Sequence, residues 1–183
     1  MDLFRERGWA ETRMEEIAKR AAVAKGTLYL YFPTKSAMLE AVLRKVIAEP
    51  FVGISAVPLR EGESVQSFLR RTLLPVLRAG KSPQLESMLR LILTEATRFP
   101  EFAAIYRRVA LDPMTAFLKE LAARARQGGE LRSGSDALER FPLLFMTPAL
   151  MATVWNGLHE AKDQISAAEA FGALLDLIFV EER

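Results

Sequence analysis

Cysteine is absent from the 183 residues, and histidine occurs once, at position 159. The first absence removes disulfides, thiolate catalysis and cysteine-based zinc sites. The second leaves little material for a histidine-centred triad or a metal cluster, so no cofactor or metal is expected. No apolar run approaches the roughly 18 residues needed to span a bilayer. The opening MDLFRERGW is too short and too charged for a secretory signal, which makes a cytoplasmic location the expectation. A strong charge of one sign is also missing, since 25 Lys/Arg face 23 Asp/Glu. Their distribution is uneven, however. Residues 1–48 hold nine basic against six acidic side chains, and the rest hold sixteen against seventeen. A basic head on a nearly neutral body points to an anionic partner for the head.

Period-2 alternation is absent too, while apolar spacing is helical almost throughout, so an all-α chain of about nine helices is expected. Gly8 should end a first helix containing Leu3 and Phe4. Thr12 and Glu15 have the spacing of a capping box, followed by an apolar face at Met14, Ile17, Ala18 and Ala21. A short break at 22–24 precedes Lys25–Phe32, which Pro33 stops. Thr34 can cap a longer helix reaching Ala48. Pro50, Gly53, Pro58 and Gly62 then mark a connection, giving a division into 1–48 and 49–183. Further helices are expected over about 64–79 with Pro75 inside, and from Ser82-Pro83 to about Arg98. Another should run from Pro100 to about Gln127 with an internal kink or restart at Asp112-Pro113. The last two are expected from Ser135-Asp136 to about Ala161, and from a Ser166/Glu169 capping box to about Val180.

The stretch KGTLYLYFPTK, Lys25–Lys35, is the most informative in the chain. On a helical wheel Leu28 and Phe32 fall together and complete the apolar face begun by Met14 and Ile17. Gly26, Thr27 and Leu30 point away, with Tyr29 and Tyr31 on the flanks. Two short helices sharing a small core across a three- or four-residue turn describe a helix-turn-helix. Against duplex DNA, Gly26 would permit close approach to the backbone. Thr27 and the tyrosine hydroxyls would donate to phosphates or base edges, Leu30 would meet a thymine methyl, and Lys25 and Lys35 would add charge.

Gly8–Leu43, GWAETRMEEIAKRAAVAKGTLYLYFPTKSAMLEAVL, closely resembles the DNA-binding head of the TetR family of bacterial transcriptional repressors. The shared features are a glycine-aromatic pair, a threonine, an Ile-Ala pair, the turn, Gly-Thr-Leu-Tyr, an aromatic before the stop and a lysine opening the next helix. The resemblance covers roughly a quarter of the chain. It implies phosphate contacts from Thr12 and Lys35, and Lys25–Tyr31 in the major groove with Leu28 and Phe32 structural. Ala22 stands where the family usually has glycine, which costs little if its φ is negative. Ala24 stands where the family has a capping serine, at a cost of about 1 kcal/mol. Leu30 replaces a more usual polar or aromatic residue. Family members also carry another turn or two before Leu3.

The resemblance further implies a ligand-binding and dimerisation body released from DNA by a small, largely apolar effector. Met88, Leu89, Ile92, Phe102, Tyr106, Met114, Phe117 and Trp155 are the large apolar candidates for lining its pocket. Thr94, Glu95, Arg98, Asn156 and His159 are the polar ones, with Glu95 and Arg98 spaced to pair with each other. Leu150, Val154, Leu158, Phe171, Leu174, Leu175 and Ile178 are the candidates for a twofold homodimer interface, which would match a pseudo-palindromic operator. A second reading is a helical module that docks its aromatic helix into a protein groove. An enzyme is disfavoured by the absence of cysteine, the single histidine and the lack of a convergent carboxylate pair.

Overall fold

The computed structural model describes residues 2–79, 83–134 and 137–180. The caps expected at Ser82 and at Ser135-Asp136 lie outside them. The described residues are helical nearly throughout, with a lone antiparallel bridge between Leu131 and Phe179. They form two compact units, one of residues 1–50 and 83–112, the other of 51–82 and 113–183.

The first unit begins with α1 (Asp2–Glu11), whose regular turns break at Gly8, with φ 77° and ψ 178°. That conformation is open essentially to glycine alone. Next come α2 (Met14–Arg20), α3 (Lys25–Tyr31) and α4 (Lys35–Leu43). The expected cap at Thr12 is displaced by one residue. Arg13 occupies the N-cap, and the Glu16 carboxylate accepts its N–H at 3.3 Å. Thr34 does cap α4, its hydroxyl accepting from the Ala37 N–H at 3.0 Å. α7 (Pro83–Glu95) and α8 (Pro100–Tyr106) complete this unit, α7 packing on α1 and α8 on α4. Their shared core holds Phe4, Trp9, Met14, Leu28, Leu39, Leu43, Met88, Ile92 and Phe102.

The helix begun by α4 does not stop at Ala48. It widens into a π-helical segment at Arg44–Ala48 and continues as α5 (Glu49–Ser55), so Pro50 and Gly53 are helical, not a connection. The same occurs after α8, where a π segment at Arg107–Leu111 leads into α9 (Asp112–Gln127). In both, the residue before a proline donates five residues back, Glu49 to Arg44 and Asp112 to Arg107. Proline supplies no N–H to the carbonyl four residues earlier and crowds it. One extra residue in the turn relieves that conflict. The two stretches, RKVIAEP and RRVALDP, match in their arginine, second basic residue, valine, acid and proline. The two π segments pack against each other, and Glu40 accepts from both Arg44 and Arg108.

In the second unit, α6 (Val65–Ala79) and α12 (Ala167–Ile178) pack together, and α11 (Thr147–Leu158) packs on α12. α10 (Ala137–Arg140) and two 3₁₀ turns, Pro142–Met146 and Ala161–Asp163, connect them where one interrupted helix was expected. Pro142 and Pro148 account for the interruption, each falling in a first turn where a missing N–H costs nothing. Ser166 caps α12, accepting from the Glu169 N–H at 3.3 Å. Phe117 meets Phe51 edge-on and also contacts Phe68.

Candidate nucleic-acid interface

The turn between α2 and α3 is a Schellman motif. The Val23 N–H donates to the Ala18 carbonyl at 3.0 Å and the Ala22 N–H to the Lys19 carbonyl at 3.2 Å. This closure needs a left-handed residue at Ala22, whose φ is +52°. The condition under which alanine would cost little here, a negative φ, is not met, because the orphan carbonyls of α2 are satisfied through the left-handed geometry. Ala24 is the N-cap of α3 and supplies no side-chain bond.

α3 is anchored by Leu28, which is buried, and by Phe32, which packs on the same core. Its other face is bare. Leu30 is 80% exposed and Tyr31 72%, and Lys25, Gly26 and Thr27 are exposed beside them. A side chain at Gly26 would meet nothing, so nothing within the chain demands glycine there. Tyr29 is half-buried, and its hydroxyl donates to Glu15 Oε1 at 3.3 Å. The Lys25 ammonium lies 2.8 Å from the same oxygen and 5.7 Å from the Tyr29 ring centroid. The Lys25 bond holds the Glu15 carboxyl below its ordinary value, and reciprocally Glu15 raises the Lys25 ammonium.

Thr12 and Lys35 both bond to the backbone around the end of α1. The Thr12 side chain is only 1% exposed, and its hydroxyl donates to the Gly8 carbonyl at 2.7 Å, with that of Leu3 at 3.2 Å alongside. The Lys35 ammonium reaches the carbonyls of Trp9, Ala10 and Thr12 at 2.7, 3.3 and 3.1 Å. An ammonium has three donors, and here all three close the end of α1, where a positive charge also suits the helix dipole. Burial pushes this ammonium below its ordinary value, while Glu101 and Glu11 pull it back up. Both side chains thus shape the end of α1.

The eight apolar effector candidates divide between the units. Met88, Ile92 and Phe102 are buried in the first unit's core, with Leu89 and Tyr106 packed against it. Burial raises the Tyr106 phenol. Met114 is buried in the second unit and Phe117 half-buried. Trp155 is exposed and stacks on His159 with ring centroids 4.0 Å apart. Two surface clefts, of about 420 and 510 Å³, lie in the second unit, and none of the eight lines either. Of the polar candidates, Glu95 is buried and accepts the Trp9 N–H at 3.1 Å. Its pairing with Arg98, 4.0 Å away, was expected. Thr94 bonds back to Arg90 and Leu91 in its own helix. Asn156 exchanges bonds with the Ile165 backbone, and His159 caps α11 through Nδ1 and the Trp155 carbonyl.

Among the twofold candidates, Leu150, Val154 and Leu158 are exposed on α11, while Leu174 and Ile178 are half-buried. Phe171 and Leu175 lie in the interior of the second unit. They are buried on the side of α12 that the i, i+4 spacing turns inward. Met151, Trp155 and Leu177 are exposed apolar residues that the reading of this face omitted.

A short capped helix, a Schellman turn and a second helix with a bare polar-aromatic face make this a helix-turn-helix protein. Residues 1–42 match bacterial regulatory proteins of the tetR family, and residues 60–170 match the tetracyclin repressor-like C-terminal domain. The chain belongs to the TetR family. Among curated proteins it is 33% identical over 73 residues to the uncharacterized HTH-type transcriptional regulator YuxN of Bacillus subtilis, covering 40% of this chain and 25% of that one. It is 45% identical over 47 residues to the HTH-type transcriptional regulator RutR of Escherichia coli, covering 26% and 22%. The matched stretch thus spans about a quarter of these curated relatives. Among solved structures, the SmeT–triclosan complex superposes with a TM-score of 0.73 at 20% identity, covering 99% of this chain and 88% of that one. Salmonella enterica GusR gives 0.71 at 23%, covering 95% and 88%. Both likenesses concern the fold.

Proposed function

We propose that the chain is a ligand-responsive transcriptional regulator, acting as a repressor that binds a pseudo-palindromic operator as a homodimer. The observation that carries this reading is the bare face of α3, presenting Lys25, Gly26, Thr27, Leu30 and Tyr31 with nothing of its own unit over Leu30 or Tyr31. Large exposed side chains on a helix anchored from behind suit insertion into the major groove. Tyr29 flanks this face. Thr12 and Lys35 serve it indirectly by fixing α1. Residues 1–48 would read DNA, and 49–183 would carry most of the effector and dimer surfaces.

The solved complex of SmeT with triclosan supports an apolar effector for this chain. Met88, Leu89, Ile92, Phe102 and Tyr106, packed together in the first unit, are the side chains through which such a guest would act. It would enter by displacing packed groups and shift α4, changing the spacing of the two heads by a population shift. Leu150, Met151, Val154, Trp155, Leu158 and Leu177 would form the twofold face. No described helix is long and apolar enough to cross a membrane, which agrees with a cytoplasmic regulator.

Selection of duplexes from a random pool with the purified chain, at two salt concentrations, tests this function. A short inverted repeat bound with steep salt dependence is expected. Sequence-blind binding would favour a protein-docking role for α3.

A further inference from the structure

Glu15 stands in the wrong place for a surface that meets a polyanion. It opens α2, yet its Oε1 receives both the Lys25 ammonium at 2.8 Å and the Tyr29 hydroxyl at 3.3 Å. These are two of the side chains on and beside the face of α3 described above. The carboxylate neutralises the one lysine on that helix and ties down the one tyrosine that reaches back toward α2. What remains outermost is neutral: Thr27, Leu30 and Tyr31.

Non-specific affinity for duplex DNA comes almost entirely from cations neutralising phosphates. Sequence preference comes from base-edge contacts, and discrimination improves when the wrong partner is penalised as well as the right one rewarded. A carboxylate that occupies Lys25 weakens the first kind of contact and leaves the neutral base-facing groups untouched. We infer that Glu15 is a specificity-determining residue of the head: it withholds Lys25 and Tyr29 from the phosphate backbone of arbitrary DNA, and yields them only where the base sequence seats α3 fully. This rests on the regulator reading above. It adds that selectivity is set from α2, by a residue that contacts α3 rather than the bases.

The test measures binding of full-length protein to a selected duplex and to its scrambled counterpart by fluorescence anisotropy over a series of KCl concentrations. Wild type, Glu15→Gln, Lys25→Ala and the double variant are compared. Glu15→Gln should bind the scrambled duplex about three- to tenfold more tightly, with its salt slope steeper by about 1 per head. The selected duplex should gain less, so the ratio of the two affinities falls. In the Lys25→Ala background the same change should have little effect. Equal gains on both duplexes would overturn the inference. So would an undiminished gain without Lys25, which would reduce Glu15 to a through-space charge. A wild type that discriminates while Glu15→Gln keeps its ratio defeats this inference alone; a wild type that discriminates nothing defeats the regulator reading with it.

Discussion

The Lys35 ammonium sits 4.5 Å from the centroid of the Trp9 ring while donating to the Trp9 carbonyl at 2.7 Å. One side chain, at the start of α4, therefore holds both the backbone and the ring of a residue 26 positions earlier. With Trp9 stacked on Phe4 and edge-on to Phe102, this contact ties α1, α4 and α8 into one frame behind α3. Lys35→Ala should accordingly destabilise the protein by about 1–3 kcal/mol, through carbonyls left without a charged donor. The salt slope of DNA binding by the folded fraction should stay unchanged. Urea unfolding and a salt titration separate this from a phosphate role, which would instead lower the slope by about 1.

Gly8 and Glu95 form a second fixed point. The kink at Gly8 releases the Trp9 N–H from the helix, and the buried Glu95 carboxylate accepts it. A methyl at position 8 would lie 3.3 Å from Glu95 Oε1, on a backbone that L-residues avoid. Gly8→Ala should cost about 1–3 kcal/mol. Glu95→Ala should also destabilise, by leaving that buried N–H unpaired. Denaturation midpoints of the two variants check both.

At the turn, the chain carries two departures that substitution should improve. Ala22 bears a left-handed φ, so Ala22→Gly should stabilise by about 1 kcal/mol. Ala24→Ser should add a side-chain acceptor at the N-cap of α3, for about another 1 kcal/mol. A thermal shift that fails to rise for Ala22→Gly would contradict the Schellman geometry.

Acid should unfasten the clasp at Glu40. Bonds from Arg108 first, then Arg44, hold its carboxyl at about 2, below the ordinary 4.5. A carboxyl depressed in the folded state contributes stability that is complete above its ordinary value and lost as pH falls through the folded one. That contribution should fade between pH 4.5 and about 2. Glu40→Gln should flatten the acid limb of a stability-versus-pH curve in that window, and an unchanged limb would show that the two arginines act elsewhere.

Much of the head was legible because its signals are local. Leu28 against Leu30 follows from a wheel, and Thr34 from its place before a helix. The roles of Thr12 and Lys35 were not legible, because their partners are carbonyls of α1 brought near by tertiary packing. Nothing in a spacing rule distinguishes a lysine facing solvent from one closing a helix. Pro50 was read as part of a connection, whereas Pro113 was placed inside a helix as a kink or restart, and both lie in continuous helical runs. The signal that could have corrected this was present in the paired stretches RKVIAEP and RRVALDP, where the same arginine-to-proline spacing recurs. In the body, Phe171 and Leu175 look like interface by hydrophobicity alone. Only the packing of α12 on α6 and α11 separates them from the exposed Leu158, at 78%, and Leu177, at 72%.

The central claim is that the bare face of α3 reads base sequence. Its most direct test compares a Leu30→Ala/Tyr31→Ala double variant with wild type on a selected duplex and on a scrambled one at fixed salt. Both side chains are exposed, so the fold should be unaffected. The account predicts a loss of about ten- to several-hundredfold on the selected duplex, and little on the scrambled one. Equal losses on both, or none on either, would contradict it.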